Sequence, residues 1–196
     1  GRTIDGAEVE IWQCDALAAY RHPGVRAEPG RAFVTYECYE GIEFADLAEH
    51  CDWRSLIFAR QLLPWFARIT DLPERDRATP IVDAVKASGQ RFSGVMLETP
   101  DTDEAKQRSG FCKRFTEPLS KALEKNGCLR TSRAGLPVLH VLFSDATTAW
   151  LAAGQPGQCS TWPMGIPRLR MPSNAPSRST AKLAEAFMML LENDER

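Results

Sequence analysis

A basic segment near the end of the chain carries the side chains that phosphate binding requires. Between Met164 and Leu183 it holds four cations and no acidic residue, and these cations are Arg168, Arg170, Arg178 and Lys182. Three prolines, Pro167, Pro172 and Pro176, exclude regular helix or a central strand from its first part. Clustered cations bind nucleic-acid phosphates because each contact releases condensed counterions. The alternative interpretation is an interdomain linker whose cations are only solvated.

A second candidate set of phosphate-binding cations consists of Lys106, Lys113 and Arg114. Spacings of seven and eight residues place the three on one side of the helix that is predicted to carry them. Arg108 would then lie about 160° around the helix from Lys106 and point elsewhere. A run of charges is also typical of a solvated helix face, so both interpretations stay open.

The residues around this second set predict a small α/β unit with the element order α-β-α-β-β. A helix over 80–87 has Pro80 in its first turn and stops at Gly89. A strand over 92–99 follows, and then a helix that begins at the cap 100–103, is interrupted at Pro118 and ends at Asn126 and Gly127. Two strands are predicted over 138–143 and 147–152.

The helix predicted from Ser177 onward is amphipathic. Its opening Ser-Arg-Ser-Thr supplies several possible N-caps. Apolar residues then recur at helical spacing, and these are Leu183, Ala186, Phe187, Leu190 and Leu191. Lys182 lies off this apolar stripe, so the basic segment delivers it to the first turns of the helix.

An earlier α/β unit is predicted between residues 31 and 69. Its elements are a strand over 32–38, a helix over 44–50 and a strand over 55–61 that continues over 62–69 after Pro64. Trp53, Trp65 and Phe66 lie among aliphatic residues and are predicted to be core rather than base-stacking residues. The polar, turn-rich stretch 72–77 is predicted to separate the two units.

The amino-acid composition limits the classes of protein to which this chain can belong. The chain has 196 residues, of which 43% are apolar and 26% charged, as is ordinary for a globular protein. No apolar run approaches the roughly 18 residues of a membrane span, and no signal peptide opens the chain. Six cysteines without a Cys-x-x-Cys pair argue against zinc or a disulfide framework and favour a reducing cytoplasm. The net charge of −2 conceals an acidic first 50 residues and a basic remainder, so an RNA-contacting surface belongs to the later part.

The first 24 residues differ from the rest. The alternation over 7–12 predicts a half-buried strand that leads into a turn at Pro23 and Gly24. The three histidines, His22, His50 and His140, are scattered along the chain and form no metal-binding motif. His140 alternates with apolar neighbours and is predicted to be a satisfied core histidine rather than an acid–base catalyst.

Longer motifs carry a family resemblance over roughly residues 31–192. FVTYECYE (33–40), SLIFARQ (55–61), DRATPIVDAV (76–85), DTDEAKQRSGFCKRFTEPLSKAL (101–123), PVLHVLF (137–143) and GIPRLRMPSNAPSRSTAKLAEAF (165–187) occur in this order. Together they resemble the ribosomal RNA large-subunit methyltransferase M family, bacterial enzymes that methylate a cytidine ribose 2′-hydroxyl in 23S rRNA. Residues 1–24 instead resemble a segment of the intradiol dioxygenases, in which a tyrosine at the place of Tyr20 ligates iron. The other three ligands of that site have no counterpart here.

The resemblance implies a role for each part of the chain. It implies an N-terminal α/β subdomain over 1–72, a THUMP-like RNA-binding domain over 73–163, and a basic linker with a first helix over 164–196. In the Ser-Arg-x-x-x-Lys-Leu motif, Lys182 matches the first lysine of a Lys-Asp-Lys-Glu catalytic set. The implied partner is 23S rRNA in the cytoplasm, without membrane or metal, and the implied cofactor of the full-length enzyme is S-adenosylmethionine.

The expected function is the rRNA-recognition half of a 2′-O-methyltransferase. No glycine-rich cofactor turn follows the Ser177 helix before Arg196, so we expect this chain alone neither to bind S-adenosylmethionine nor to methylate RNA. A stand-alone RNA-binding or adaptor protein and a metal-dependent dioxygenase fragment are the two alternatives. The oligomeric state does not follow from the sequence.

Overall fold

The computed structural model describes residues 10–13, 18–21, 25–29, 34–38, 61–130, 135–156, 159–167, 169, 177 and 179–190. Helices and strands alternate over most of this range, so the predicted α/β class is confirmed. The predicted helix over 44–50 and nearly all of the predicted strand over 55–61 lie outside the described residues.

Two antiparallel hairpins occupy the described part of the first 38 residues. β1 (Glu10–Gln13) pairs with β2 (Ala18–Arg21), and β3 (Val25–Pro29) pairs with β4 (Val34–Cys38). β1 overlaps the predicted strand over 7–12, and β4 lies within the predicted strand over 32–38. β2 and β3 were not predicted from the sequence.

A four-stranded mixed sheet follows, in the spatial order β5-β8-β7-β6. Its strands are β5 (Trp65–Ile69), β6 (Gly94–Glu98), β7 (Val138–Phe143) and β8 (Ala149–Gly154). β6 and β7 are parallel, whereas β8 is antiparallel to both of its neighbours. Parallel neighbours require a crossover connection, which the helices between β6 and β7 supply. The predicted order α-β-α-β-β is therefore confirmed for residues 78–154.

Local signals set the bounds of α1 (Ala78–Ser88). Asp76 Oδ1 accepts a hydrogen bond from the Thr79 N–H of the first turn, at 3.3 Å. The helix stops where Gly89 adopts the left-handed conformation (φ 69°), and the Gly89 N–H donates to the Lys86 carbonyl. A glycine adopts this conformation without the steric cost of a Cβ, so the predicted stop at Gly89 is confirmed.

The long helix of the crossover is divided at a different place from the one predicted. Thr102 caps the short α2 (Asp103–Lys106), as predicted, because its Oγ1 accepts from the Ala105 N–H at 3.2 Å. The chain turns at residues 107–108, and α3 (Ser109–Lys125) then continues through Pro118 without a break. The predicted interruption at Pro118 was wrong. Pro118 is exposed, so the carbonyl that loses its hydrogen bond to the proline can be solvated by water.

One hydrophobic core lies between the sheet and the helices α1 and α3. Its fully buried side chains include Ile81, Val85, Phe92, Leu119, Leu123, Leu139, Val141, Phe143 and Leu151. Burying each such side chain stabilises the fold by about 1.5–3 kcal/mol. Phe66 packs against this core, as predicted, whereas Trp65 lies on the edge strand and is 36% exposed, so its prediction as a core residue was wrong. Trp53 lies outside the described residues.

The residues on the second face of the sheet, opposite the core, follow from the alternation of side chains along each strand. Leu139, Val141 and Phe143 of β7 belong to the core, so His140 and Leu142 point to the opposite face. At the β5 edge of that face, Trp65 meets Trp150 edge to face, with ring centroids 5.0 Å apart. The guanidinium of Arg68 lies 4.8 Å from the centroid of the Trp150 ring.

No helix among the described residues combines the length and the apolar character needed to cross a membrane.

Candidate nucleic-acid interface

Lys113 and Arg114 form an exposed pair of cations in the second turn of α3. Arg114 extends back along the helix, and its Nη1 lies 3.5 Å from the point that a Cβ on Gly110 would occupy. Within the described part of the chain neither cation forms an ion pair, in contrast to Lys121, whose Nζ lies 2.7 Å from Glu117 Oε1. Both charges of the pair are therefore available to an anion in solution.

The three cations predicted to share one side of a helix do not lie on one helix. Lys106 ends α2, and the turn at residues 107–108 separates it from Lys113 and Arg114 on α3. The spacing argument assumed one continuous helix, so its premise was wrong. Arg108 at this turn contacts the β7–β8 loop, because its Nη2 donates to the Ser144 carbonyl at 3.3 Å.

Lys182 is exposed in the first turn of α4 (Ser179–Leu190). Ser177, in the segment predicted to supply several possible caps, bonds the start of the helix: its Oγ accepts from the Ser179 N–H and its carbonyl accepts from the Thr180 N–H, both at 3.2 Å. Two residues of the predicted apolar stripe are exposed: Leu183 is 56% and Phe187 50% exposed. Lys182 lies on a different helix from Lys113 and Arg114, and the described contacts do not join the two positions into one surface.

Three further predicted site residues, Arg168, Arg170 and Arg178, lie outside the described residues. Their predicted contact with RNA, like that of Lys106, Lys113 and Arg114, stays a prediction.

A buried carboxylate–imidazole pair on the second face of the sheet was missed by the sequence interpretation. Glu98 at the end of β6 is 2% exposed and His140 in β7 is 1% exposed, and Glu98 Oε2 lies 3.1 Å from His140 Nδ1. Glu98 Oε1 accepts two more hydrogen bonds, from Gln61 Nε2 at 3.0 Å and from the Met164 N–H. The available signal was one acidic residue at the end of an otherwise apolar strand.

His140 was predicted to be a buried histidine whose ring nitrogens are hydrogen-bonded. Its burial is confirmed, and one of its two ring nitrogens is hydrogen-bonded. Nδ1 is bound to Glu98, whereas Nε2 has no hydrogen-bond partner among the described residues. Burial lowers the pKa of His140, but the neighbouring Cys159 sulfur and the Glu98 carboxylate more than offset this effect and raise the pKa to about 9. His140 is therefore a buried cation at neutral pH, balanced by the carboxylate of Glu98.

Gly154, the last residue of β8, permits the close approach of His140 and Cys159. A Cβ at this position would lie 2.5 Å from His140 Nε2 and 2.8 Å from Cys159 Sγ. Contacts this short force neighbouring atoms to move.

We expect Gly154→Ala to lower the free energy of unfolding by about 1–3 kcal/mol, the usual cost of overpacking a buried site. Gly94→Ala in β6 is the matched control, because a Cβ there meets nothing within 4 Å. The control should leave stability unchanged or raise it by up to about 1 kcal/mol. Urea unfolding of both variants makes the comparison, and equal stability of the two would contradict the crowding at Gly154.

Two family models match the chain. One is described as "Ribosomal RNA large subunit methyltransferase M, N-terminal" and covers residues 76–154, which contain α1 to β8. The other is described as "RlmM ferredoxin-like domain" and covers residues 15–63. The second model begins within the first 24 residues, which in sequence resemble a dioxygenase segment.

Curated relatives agree with these models. A ribosomal RNA large subunit methyltransferase M from Thauera aminoaromatica is 81% identical over 172 residues, which are 88% of this chain and 47% of the relative. Proteins of the same name from Azoarcus sp. (strain BH72) and Shewanella sediminis (strain HAW-EB3) are 64% and 42% identical, over 97% and 88% of this chain and 51% and 48% of their own lengths.

These matches define the class of the described domains, which are an N-terminal domain and a ferredoxin-like domain of one protein family. The chain belongs to the ribosomal RNA large subunit methyltransferase M family. It spans about half the length of the curated relatives that it matches.

Proposed function

We propose that this chain is the rRNA-recognition half of an S-adenosylmethionine-dependent methyltransferase that acts on a ribose 2′-hydroxyl of 23S rRNA. The family match supports the class of substrate. The single structural observation that carries the proposal is the exposed cation pair Lys113 and Arg114 on α3, which forms no ion pair within the described part of the chain. Two adjacent cations without protein counter-charges bind phosphate oxygens at little cost, because no existing ion pair must be broken.

The methyl donor has no fitting site among the described residues. Cofactors of this kind bind where a strand leads through a glycine-rich turn into a helix. β6 leads into α2 through residues 99–102, which contain a proline and no glycine. The proposal therefore gives the described residues a role in recognition of the substrate and none in holding the methyl donor.

The proposal predicts how RNA binding depends on salt. Replacing Lys113 and Arg114 together by Glu should weaken binding to a structured 23S rRNA fragment at least tenfold near 0.1 M salt. The plot of log K against log salt should become less steep, by about one unit of slope per lost phosphate contact. Fluorescence anisotropy titrations at several salt concentrations measure both quantities.

Lys121→Glu with Lys125→Glu is the matched control. It reverses the same number of charges on the same helix, at exposed positions near its C-terminal end. Its slope should change by less than that of the first double variant, because Lys121 is already paired with Glu117. Equal losses for both double variants would mean that only net charge matters, and an unchanged affinity for Lys113→Glu with Arg114→Glu would make that pair a solvated helix face.

A further inference from the structure

Two tryptophans and an arginine form an aromatic patch on the second face of the sheet, at its β5 edge. Trp65 and Arg68 belong to β5 and Trp150 to β8, and Arg68 lies opposite Trp150 in the pairing register. The indole of Trp65 meets that of Trp150 edge to face, and the exposed guanidinium of Arg68 lies over the Trp150 ring. These three residues are called the tryptophan patch below.

A β-bulge in β5 brings Trp65 and Arg68 to the same face of the sheet. The register with β8 shifts between Trp65 and Ala67, and the adjacent residues Phe66 and Ala67 both pack against the core. In a regular strand, residues three positions apart lie on opposite faces. The bulge therefore places an indole and a guanidinium together on the face away from the core, where both contact Trp150.

The tryptophan patch lies on the open part of this face. Over β6 the face is covered by the 3₁₀ turn Pro163–Gly165, whose backbone donates a hydrogen bond to the buried Glu98. At β5, in contrast, Trp65 is 36% exposed, although tryptophan is highly buried on average in folded proteins. Within the described part of the chain, the guanidinium of Arg68 contacts the ring of Trp150 and has neither an ion pair nor a hydrogen bond.

An exposed indole beside a cation without a counter-charge fits the chemistry of a nucleotide. Every nucleobase has a π-face that stacks on an aromatic ring. Trp150 covers at most one face of the Trp65 ring, because the two rings meet at 90°. The charge of Arg68 complements the phosphate of a nucleotide whose base stacks on Trp65. An apolar peptide would use the rings but would leave this charge without a partner.

We propose that the tryptophan patch binds unpaired nucleotides of RNA, with a base stacked on Trp65 and the adjoining phosphate bound to Arg68. The inference rests on the proposed function, because it takes RNA as the partner of this chain. It adds a contact of a different kind from the phosphate contacts proposed for Lys113 and Arg114 on α3. Base-paired RNA does not use the patch, because its bases are stacked on one another within the helix.

Fluorescence anisotropy with two probes, a labelled oligouridine and an RNA duplex of the same length, tests this inference. Trp65→Leu keeps an apolar side chain but removes the π-face, so it should weaken oligouridine binding about fivefold or more. Binding of the duplex should not change. The slope of log K against log salt for oligouridine should also stay the same, because stacking releases no counterions. Trp65→Phe, which restores an aromatic ring, should recover most of the lost affinity.

Phe187→Leu is the matched control, because it removes another exposed aromatic ring, which lies on α4 and outside the patch. It should leave the affinity for oligouridine unchanged. Full affinity of Trp65→Leu, or equal losses for Trp65→Leu and Phe187→Leu, would overturn the inference. An equal loss of duplex binding in Trp65→Leu would overturn it as well, because the patch would then not distinguish unpaired from paired nucleotides.

Photo-cross-linking tests the contact on the unmodified chain, so it does not depend on the folding of a variant. The probe is oligouridine that carries 5-iodouridine, a base that cross-links on irradiation to an aromatic ring in contact with it. We expect a cross-link on the tryptic peptide 61–68, which contains Trp65. If the chain binds the probe and this peptide is not cross-linked, the inference is wrong even if Trp65→Leu does not fold.

The variant Lys113→Glu with Arg114→Glu separates this inference from the proposed function. If that double variant loses affinity for RNA and Trp65→Leu does not, only the tryptophan patch is refuted. If Trp65→Leu loses affinity and the double variant does not, only the cation pair on α3 is refuted. If the unmodified chain binds neither oligouridine, the duplex nor the structured rRNA fragment, the proposed function and this inference are both wrong.

Discussion

Glu98→Ala should lower the free energy of unfolding by about 3–5 kcal/mol, because removing one partner of a buried pair leaves the other charge uncompensated. The carboxylate is 2% exposed and bonds His140, Gln61 and the Met164 N–H at once. Its removal therefore leaves a buried cation, a side-chain amide and a backbone N–H without their acceptor. Urea unfolding followed by circular dichroism measures the loss.

Glu117→Ala is the matched control for this substitution. Glu117 also forms an ion pair, but its side chain is 76% exposed and that of Lys121 is 73% exposed. Water replaces the lost partner there, so the unfolding midpoint should not change measurably. If both variants lose the same stability, burial of the Glu98–His140 pair does not matter.

The pH dependence of stability gives a second measure of the same pair. The pKa of His140 is raised to about 9 in the folded chain, above its ordinary value of 6.5. The stabilisation is therefore complete below about pH 6.5 and is lost as the pH rises through about 9. Glu98→Gln should flatten this decline, because the amide no longer favours the imidazolium.

Lys182→Ala should reduce methyl transfer about a hundredfold or more in a full-length protein that contains this chain. The proposal rests on the family motif, in which an ammonium at this position orders or polarises the ribose 2′-hydroxyl. RNA affinity should fall far less, because one cation among many phosphate contacts contributes modestly. Turnover with saturating rRNA and binding by anisotropy separate the two effects.

Two controls accompany this experiment: the stability of Lys182→Ala, and the binding and turnover of Arg178→Ala. Lys182 is exposed on α4, so its replacement should change the free energy of unfolding by no more than about 0.5 kcal/mol. Arg178→Ala, in contrast, should reduce binding and turnover together, as expected for a phosphate contact. Equal losses of binding and turnover for Lys182→Ala would make Lys182 a phosphate anchor, and near-normal turnover would remove its catalytic role.

Helix ends were predictable because they depend on a few neighbouring residues. Gly89, Thr102 and Gly127 each act within one turn of their own helix, through left-handed backbone or a side-chain cap. The break near residue 107 and the continuity through Pro118 were not predictable in this way. Residues of α3 pack in the core with the sheet and α1, and such tertiary contacts, which override local propensity, are not visible in a local pattern.

The buried Glu98–His140 pair and its neighbour Cys159 could not be predicted from the sequence for the same reason. His140 and Glu98 are 42 residues apart in the chain. They come together only because β6 and β7 pair in parallel with Met96 opposite His140. Shifting that register by one residue would turn Glu98 to the other face of the sheet. The exposed cations of α3, which need only a helix and a charge pattern, were found from the sequence.

The strand order affects how this protein folds during its synthesis on the ribosome. β8 is the last strand of the sheet in the chain, yet it lies between β5 and β7. β5, made some eighty residues earlier, has its described partner only in β8. The described sheet cannot close until residue 154 has left the exit tunnel, and until then β5 and β7 each lack their described partner β8 and can present an open edge to other nascent chains. The time between the synthesis of β5 and the emergence of β8 from the tunnel therefore sets how long these edges are exposed to aggregation, independently of how stable the finished fold is.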